Sequence, residues 1–229
     1  MTGFLPLIVL LAAFVAVHTA ISRPRIRDPL MARLGRRWYG ALHGTVSTVG
    51  MAAVFWGYYM APYLELWPPL AAFRAIPALL MPLACILTVA SVTTPCAGLT
   101  GDCLPEGDNP APAILSITRH PVPWALVLWG AAHVIANGDL AGLLFFGIFL
   151  VFGALGVPLV DMRRRRLCGE DAWKRFAAAT ATTPFLAAIQ GRTRIDWRGI
   201  GWKPVVIGLP LYAALLLAHE WVIGVQAYP

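Results

Sequence analysis

The fold of this 229-residue chain is restricted first by its apolar runs, which occupy residues 4–22, 38–60, 70–90, 122–136, 140–160 and 205–225. A hydrocarbon layer of about 30 Å takes about 20 residues of α-helix to cross. Water is absent there, so each segment has to satisfy its own N–H and C=O groups, which a helix does. The fourth run is short, but Arg119 and Asn137 at its ends can sit at headgroup level and let the apolar part match the layer. Composition agrees: 59% of residues are hydrophobic and 13% charged, which excludes an ordinary water-soluble domain. The expected fold is all-α, a polytopic membrane helical bundle of about six transmembrane helices, with residues 1–229 forming one domain and no internal repeat.

Charge placement predicts orientation. Arg23, Arg25, Arg27, Arg33, Arg36 and Arg37 lie between the first two runs. Arg163 to Arg166, Lys174, Arg175, Arg192, Arg194, Arg198 and Lys203 lie between the fifth and sixth. Basic loops stay on the cytoplasmic side, so an even number of spans places both termini outside. The first run lacks a basic segment before it and is followed by arginines, so it reads as a retained helix rather than a cleaved signal. The net charge of +7 is explained by these loops, and no nucleic-acid partner is expected. The lipid bilayer is the partner that the composition implies.

The long connection SVTTPCAGLTGDCLPEGDNPAPAILSITRHP is rich in Pro, Gly and Thr and reads as a loop against the membrane face. The second long connection starts with the RRRR run, a topology anchor for anionic lipid, and its Trp173, Phe176 and Phe185 favour a surface helix followed by a return to the interface. Between the fourth and fifth runs, NGD is turn chemistry: Asn137 ends one helix and Asp139 begins the next. Cys85, Cys96, Cys103 and Cys168 have neither zinc-site spacing nor the density of a disulfide scaffold and read as structural thiols.

Ionisable groups inside the bilayer are costly, which makes His18, His43, His133 and His219 candidate site residues. Each also has a simpler reading as a hydrogen-bonding residue between helices, weightiest for His219 near the outer end. A pair of imidazoles without a carboxylate cluster suits haem iron better than zinc. At about 1.5 Å per residue, His18 and His43 lie roughly 5–8 Å from the cytoplasmic rim and His133 about 16 Å, which slightly favours pairing His18 with His43 without deciding it. Arg119 and His120 stand at the mouth of the fourth helix, where they can hold a phosphate or cap the loop, while snorkelling is the commoner role for such an arginine.

Four ordered motifs, HTAISR, GRRWYGALHGTVST, ITRHPVPWALVLWGAAHVIANGD and GEDAWKRFAAATATTPFLAAIQGR, together resemble the NnrU family of bacterial membrane proteins, which also includes the 15-cis-zeta-carotene isomerases. The resemblance covers nearly the whole chain. It implies a protein of the bacterial inner membrane that holds haem b, with His18 and His133 as the axial ligands, so it prefers that pair to His18 with His43. His43, Arg119 and His120 remain secondary candidates. The bacterial branch is associated with denitrification through nitrite and nitric oxide reductase, which implies a redox partner. The alternative is a haem-dependent cis–trans isomerase with a carotenoid or other apolar substrate. In the plant isomerases a Cys stands three residues before the second ligand, where this chain has Gly130. A less favoured reading is a membrane methyltransferase of the isoprenylcysteine type, with RHP and the acidic pair Glu170 and Asp171 around its cofactor, although such an enzyme has no need of His18 or His133.

Overall fold

The computed structural model describes residues 2–68, 70–98 and 103–227. Among them the chain is all-α, with no strand, and it groups into two compact units. One unit holds the chain up to Pro68 together with Gly138–Phe145, and the other holds Pro69–Asn137 and Phe146–Pro229.

In the first unit, α1 (Leu5–Ser22) starts with a proline in its first turn and stops where Arg23 takes an extended conformation ahead of Pro24. Pro24 then opens α2 (Pro24–Met60), which is interrupted at Gly35, whose φ of 79° only a glycine adopts without strain. The break separates a basic segment, residues 24–34, from the segment 36–60, which is largely apolar beyond Arg36 and Arg37 and close to the expected second span. α1 and α2 run antiparallel. Gly57 faces Leu7 and Leu10, and Gly50 faces Phe14. A methyl group added at Gly57 would lie 3.2 Å from the Leu7 Cα and 2.9 Å from Leu10 Cδ1, so the absence of a side chain is what lets the two backbones approach. Gly138 serves a turn: its carbonyl accepts hydrogen bonds from Leu66 N (2.8 Å) and Trp67 N (3.0 Å), at a φ of 69°. As expected, Asp139 begins the following helix, accepting a hydrogen bond from Gly142 N at 2.9 Å.

In the second unit, α3 (Ala71–Thr93) packs against α4 (Pro121–Asn137) and against α9 (Lys203–Ile223). Gly208 of α9 lies on Ile86 of α3, close enough that a methyl group there would sit 2.9 Å from the Ile86 Cα. The longest single apolar helix, α5 (Leu140–Cys168), meets α4 through glycine from both sides: Gly130 faces Phe146 and Leu150, and Gly153 faces Pro123 and Val127. Short helices α6 (Glu170–Ala179), α7 (Leu186–Ile189) and α8 (Trp197–Ile200) connect α5 to α9. α6 is the expected surface helix, with Phe176 buried and Trp173 packed beside it. Ile114 and Leu115, from the loop between α3 and α4, join Phe176, Ala90 and Ala97 in a small apolar core. Much of that loop is therefore packed, although residues 99–102 lie outside the described set. One expectation is corrected here. Cys96 and Cys103 are joined in a disulfide, their Cα atoms 5.4 Å apart, while Cys85 and Cys168 are free.

Four helices, α1, α3, α5 and α9, are long and apolar enough to cross a membrane. Their outward faces stay apolar: Val92 of α3 is 80% exposed and Trp221 of α9 is 92% exposed, which in water would be a costly surface. Lipid accounts for it, and the chain is a membrane protein by this measure. Of the remaining expected spans, α4 has 17 residues. At 1.5 Å each, that length reaches about 26 Å.

Candidate functional site

The second unit carries two polar features in apolar surroundings, one at each end of α4. At the amino end, the backbone of Thr118, Arg119 and His120 is fixed before the helix starts. Arg119 N donates to Ala181 O (3.0 Å), Thr118 Oγ1 donates to Thr182 O (2.7 Å), and Trp124 Nε1 donates to the same Thr182 oxygen (2.8 Å). Arg119 projects onto Asp161 of α5, donating from Nη2 at 2.8 Å and from Nε at 3.1 and 3.2 Å, with Trp173 under its guanidinium. Such a fork on one carboxylate fixes geometry as well as charge. His120 is 1% exposed, and its Nε2 lies 2.9 Å from Asp161 Oδ1. That is ion-pair distance, but neither ring nitrogen makes an aligned hydrogen bond among the described residues. Burial pushes His120 below the usual histidine value, outweighing the pull of the Asp161 carboxylate in the other direction.

Arg164 lies beside this group with no exposed surface, donating from Nη1 to Arg119 O (3.0 Å) and from Nη2 to Cys96 O (2.6 Å). A buried cation is tolerable only with such acceptors. Asp196 closes the same end. It accepts from Ala113 N (2.9 Å) and Gly199 N (2.8 Å), which hold its carboxyl below the ordinary range. The cluster thus ties the loop before α4, the end of α5 and the segment after α6 into one network. Arg119 and His120 are engaged by Asp161 rather than turned to a headgroup. Sequence reasoning missed Asp161, Arg164 and Asp196. Asp161 could have been found as a lone carboxylate ending a long apolar helix. Arg164 was hidden inside the RRRR run, where all four side chains look alike.

Near the carboxyl end of α4, His133 holds its Nδ1 2.8 Å from Trp129 O, one turn back. Phe146 stacks on the ring at 4.7 Å between centroids, and Trp129 lies at 5.2 Å. Nδ1 must carry the proton to bond a carbonyl, which leaves Nε2 with its lone pair available. His133 lines a cavity between α3, α4 and α9 together with Pro77, Met81, Tyr212, Leu216 and His219, with a volume of about 60 Å³. The donor chemistry of His133 fits an iron ligand.

In the first unit, His18 and His43 come together as the depth reading favoured, with ring centroids 5.0 Å apart and edge to face. His18 Nδ1 lies 3.0 Å from Ser47 Oγ, and His43 Nε2 lies 3.1 Å from Ser22 Oγ. Phe14 stacks on His18 at 5.4 Å. Both rings are therefore oriented by hydroxyls from the facing helix. Among the described residues, no group of three or more His, Cys, Asp and Glu side chains forms a metal cluster.

Comparison with known families gives a match over residues 6–227 to a family model described as NnrU protein. Among curated proteins and among solved structures, nothing matches the chain.

Proposed function

The chain belongs to the NnrU family, and on that premise we propose that it is a haem b-binding protein of the bacterial inner membrane, linked to denitrification through nitrite or nitric oxide reductase. The reading takes residues 1–229 as one functional domain, with His18 and His133 as the axial ligands. The observation that carries it is the state of His133. Its Nδ1–H is spent on the Trp129 carbonyl, its ring is clamped by Phe146 and Trp129, and Nε2 is left as a lone-pair donor on a rigid helix. His18 is oriented comparably, with Nδ1 at the Ser47 hydroxyl.

Iron held by two imidazoles supplies one-electron transfer or sensing rather than substrate turnover. The chain's own residues hold the rings in place and surround them with apolar side chains. A redox partner belongs to this proposal, and an apolar substrate such as a carotenoid to the isomerase alternative. Gly130 bears on the choice between carrier and isomerase. Where the plant isomerases have Cys, a side chain here would meet the Phe146 carbonyl at 2.9 Å, so the helix contact leaves no room for a thiol. That favours the carrier over the isomerase.

The purified chain should show a Soret band that His18→Ala and His133→Ala each abolish. A spectrum unchanged in both variants overturns the ligand assignment. The isomerase alternative predicts a changed isomer profile when the chain is expressed in cells that accumulate 15-cis-zeta-carotene, and the carrier reading predicts none.

A further inference from the structure

The disulfide lies at the basic end of the second unit. Cys96 stands just past α3, and its carbonyl accepts at 2.6 Å from Nη2 of Arg164, the fully buried arginine of the RRRR run near the end of α5. Cys96 and Cys103 are thereby tied to the arginines that the positive-inside rule places in the cytoplasm. That compartment keeps thiols reduced, and a disulfide there is as a rule transient, catalytic or redox-sensing rather than a permanent staple.

The fold holds both cysteines in place without the bond. Ala97, next to Cys96, is 2% exposed in an apolar core with Ala90, Ile114, Leu115 and Phe176, and Leu104, next to Cys103, packs against that same core. Arg164 fixes the Cys96 carbonyl and lies over the Phe176 ring at 5.3 Å. Cys96 has a φ of 62°, which a residue with a side chain keeps only where its surroundings impose it, and packing and Arg164 both do so. Opening the bond therefore leaves the two residues near each other, and most of the entropy of closing the loop is already lost in folding. Both cysteines are partly exposed, so a reagent reaches them from water, whereas Cys85 is buried in α3.

We propose that Cys96 and Cys103 form a reversible redox site, opened by thiol reductants of the cytoplasm and closed by hydroperoxides. In opening, a reductant thiolate attacks one sulfur, forms a mixed disulfide and releases the other cysteine as a thiolate. A second reductant thiolate attacks the mixed disulfide at the reductant's sulfur and releases the remaining cysteine. The reductant leaves as its own disulfide, and the two cysteines gain two electrons and take up one proton each. In closing, one thiol takes an oxygen from the hydroperoxide, which leaves as water or an alcohol, and the resulting sulfenic acid condenses with the other thiol, re-forming the S–S bond and releasing water. The site rests on the orientation set by the basic segments and not on the haem reading.

The test follows the full-length chain in growing cells. Acid fixes the thiols before air can close the pair, and a maleimide mass tag counts those that are free in the denatured protein. All four cysteines should carry a tag, two should do so after a pulse of hydrogen peroxide, and four again once the peroxide is consumed. Peptide mapping of the peroxide-treated chain should show Cys96 linked to Cys103. The Cys85→Ser, Cys168→Ser double variant should cycle between two tags and none, which assigns the change to this pair. Recovery slowed by loss of the thioredoxin-type system assigns a dithiol protein as the reductant, and recovery slowed by loss of glutathione assigns the monothiol. Two tags before and after peroxide, the mark of a permanent disulfide, overturn the proposal, and four tags throughout overturn it equally. His18→Ala, which removes a proposed iron ligand, should cycle as the unaltered chain does, so the haem reading can fail without the redox site.

Discussion

Asp161, near the cytoplasmic end expected for α5, faces Arg119 through a two-pronged contact and His120 at 2.9 Å, with buried Arg164 alongside. Asp161→Ala leaves Arg119 without its carboxylate partner, and it should cost about 3 kcal/mol, the low end for breaking a buried pair. Detergent unfolding of the variant measures it, and a stability equal to that of the parent contradicts the role. His120 adds a pH dependence. Because burial holds its folded value below the ordinary 6.5, the unfolded chain binds the extra proton first as pH falls. Its contribution is therefore full above about pH 6.5 and is lost as pH drops toward the lowered folded value, a slope that His120→Gln should flatten. Sequence made half of this cluster legible. Arg119 and His120 were evident as ionisable residues bordering an apolar run, whereas the pairing of Arg119 with Asp161, 42 positions away, depends on how α4 meets α5.

Several helix contacts close over a glycine, since lipid is as apolar as leucine and packing must come from close approach. Gly57→Leu should push α1 from α2 and cost about 1–3 kcal/mol, as overpacking does. Gly44→Leu, on the same helix with nothing within 4 Å, should be nearly neutral in the same unfolding assay. The apolar runs located the helices well, because a span needs a minimum length whatever its neighbours do. Their ends were less legible. α5 continues through the arginines to Cys168 and stops at Gly169, whose φ is 87°, while the apolar part of α2 is preceded by a basic helical segment that begins at Pro24 and breaks at Gly35. The Cys96–Cys103 disulfide was hidden for another reason. A separation of 7 says nothing until the loop turns and brings the two Cα atoms to 5.4 Å. Peptide mapping without reductant should recover these two cysteines as one linked fragment and Cys85 and Cys168 as free thiols.

At the scale of the molecule, the apolar faces of α1, α3, α5 and α9 make a membrane protein, and the basic segments around residues 23–37 and 163–203 set its expected orientation. An alkaline phosphatase fused after the carboxyl terminus should be active, as an outward end requires, and an inactive fusion with an active one at residue 170 would reverse the orientation. The all-α class and family were readable because both are spread over the whole sequence, in run lengths and ordered motifs. The site was readable only in part, since ring tautomers and shared cavities exist only once helices pack. The central claim is that His133 presents a lone pair to iron. The most direct measurement is the optical and electron paramagnetic resonance spectrum of oxidised, haem-loaded His133→Gly with and without added imidazole. A low-spin spectrum in the parent, lost in the variant and restored by imidazole, is the result the account predicts. A low-spin spectrum in the variant that matches the parent without imidazole would contradict it.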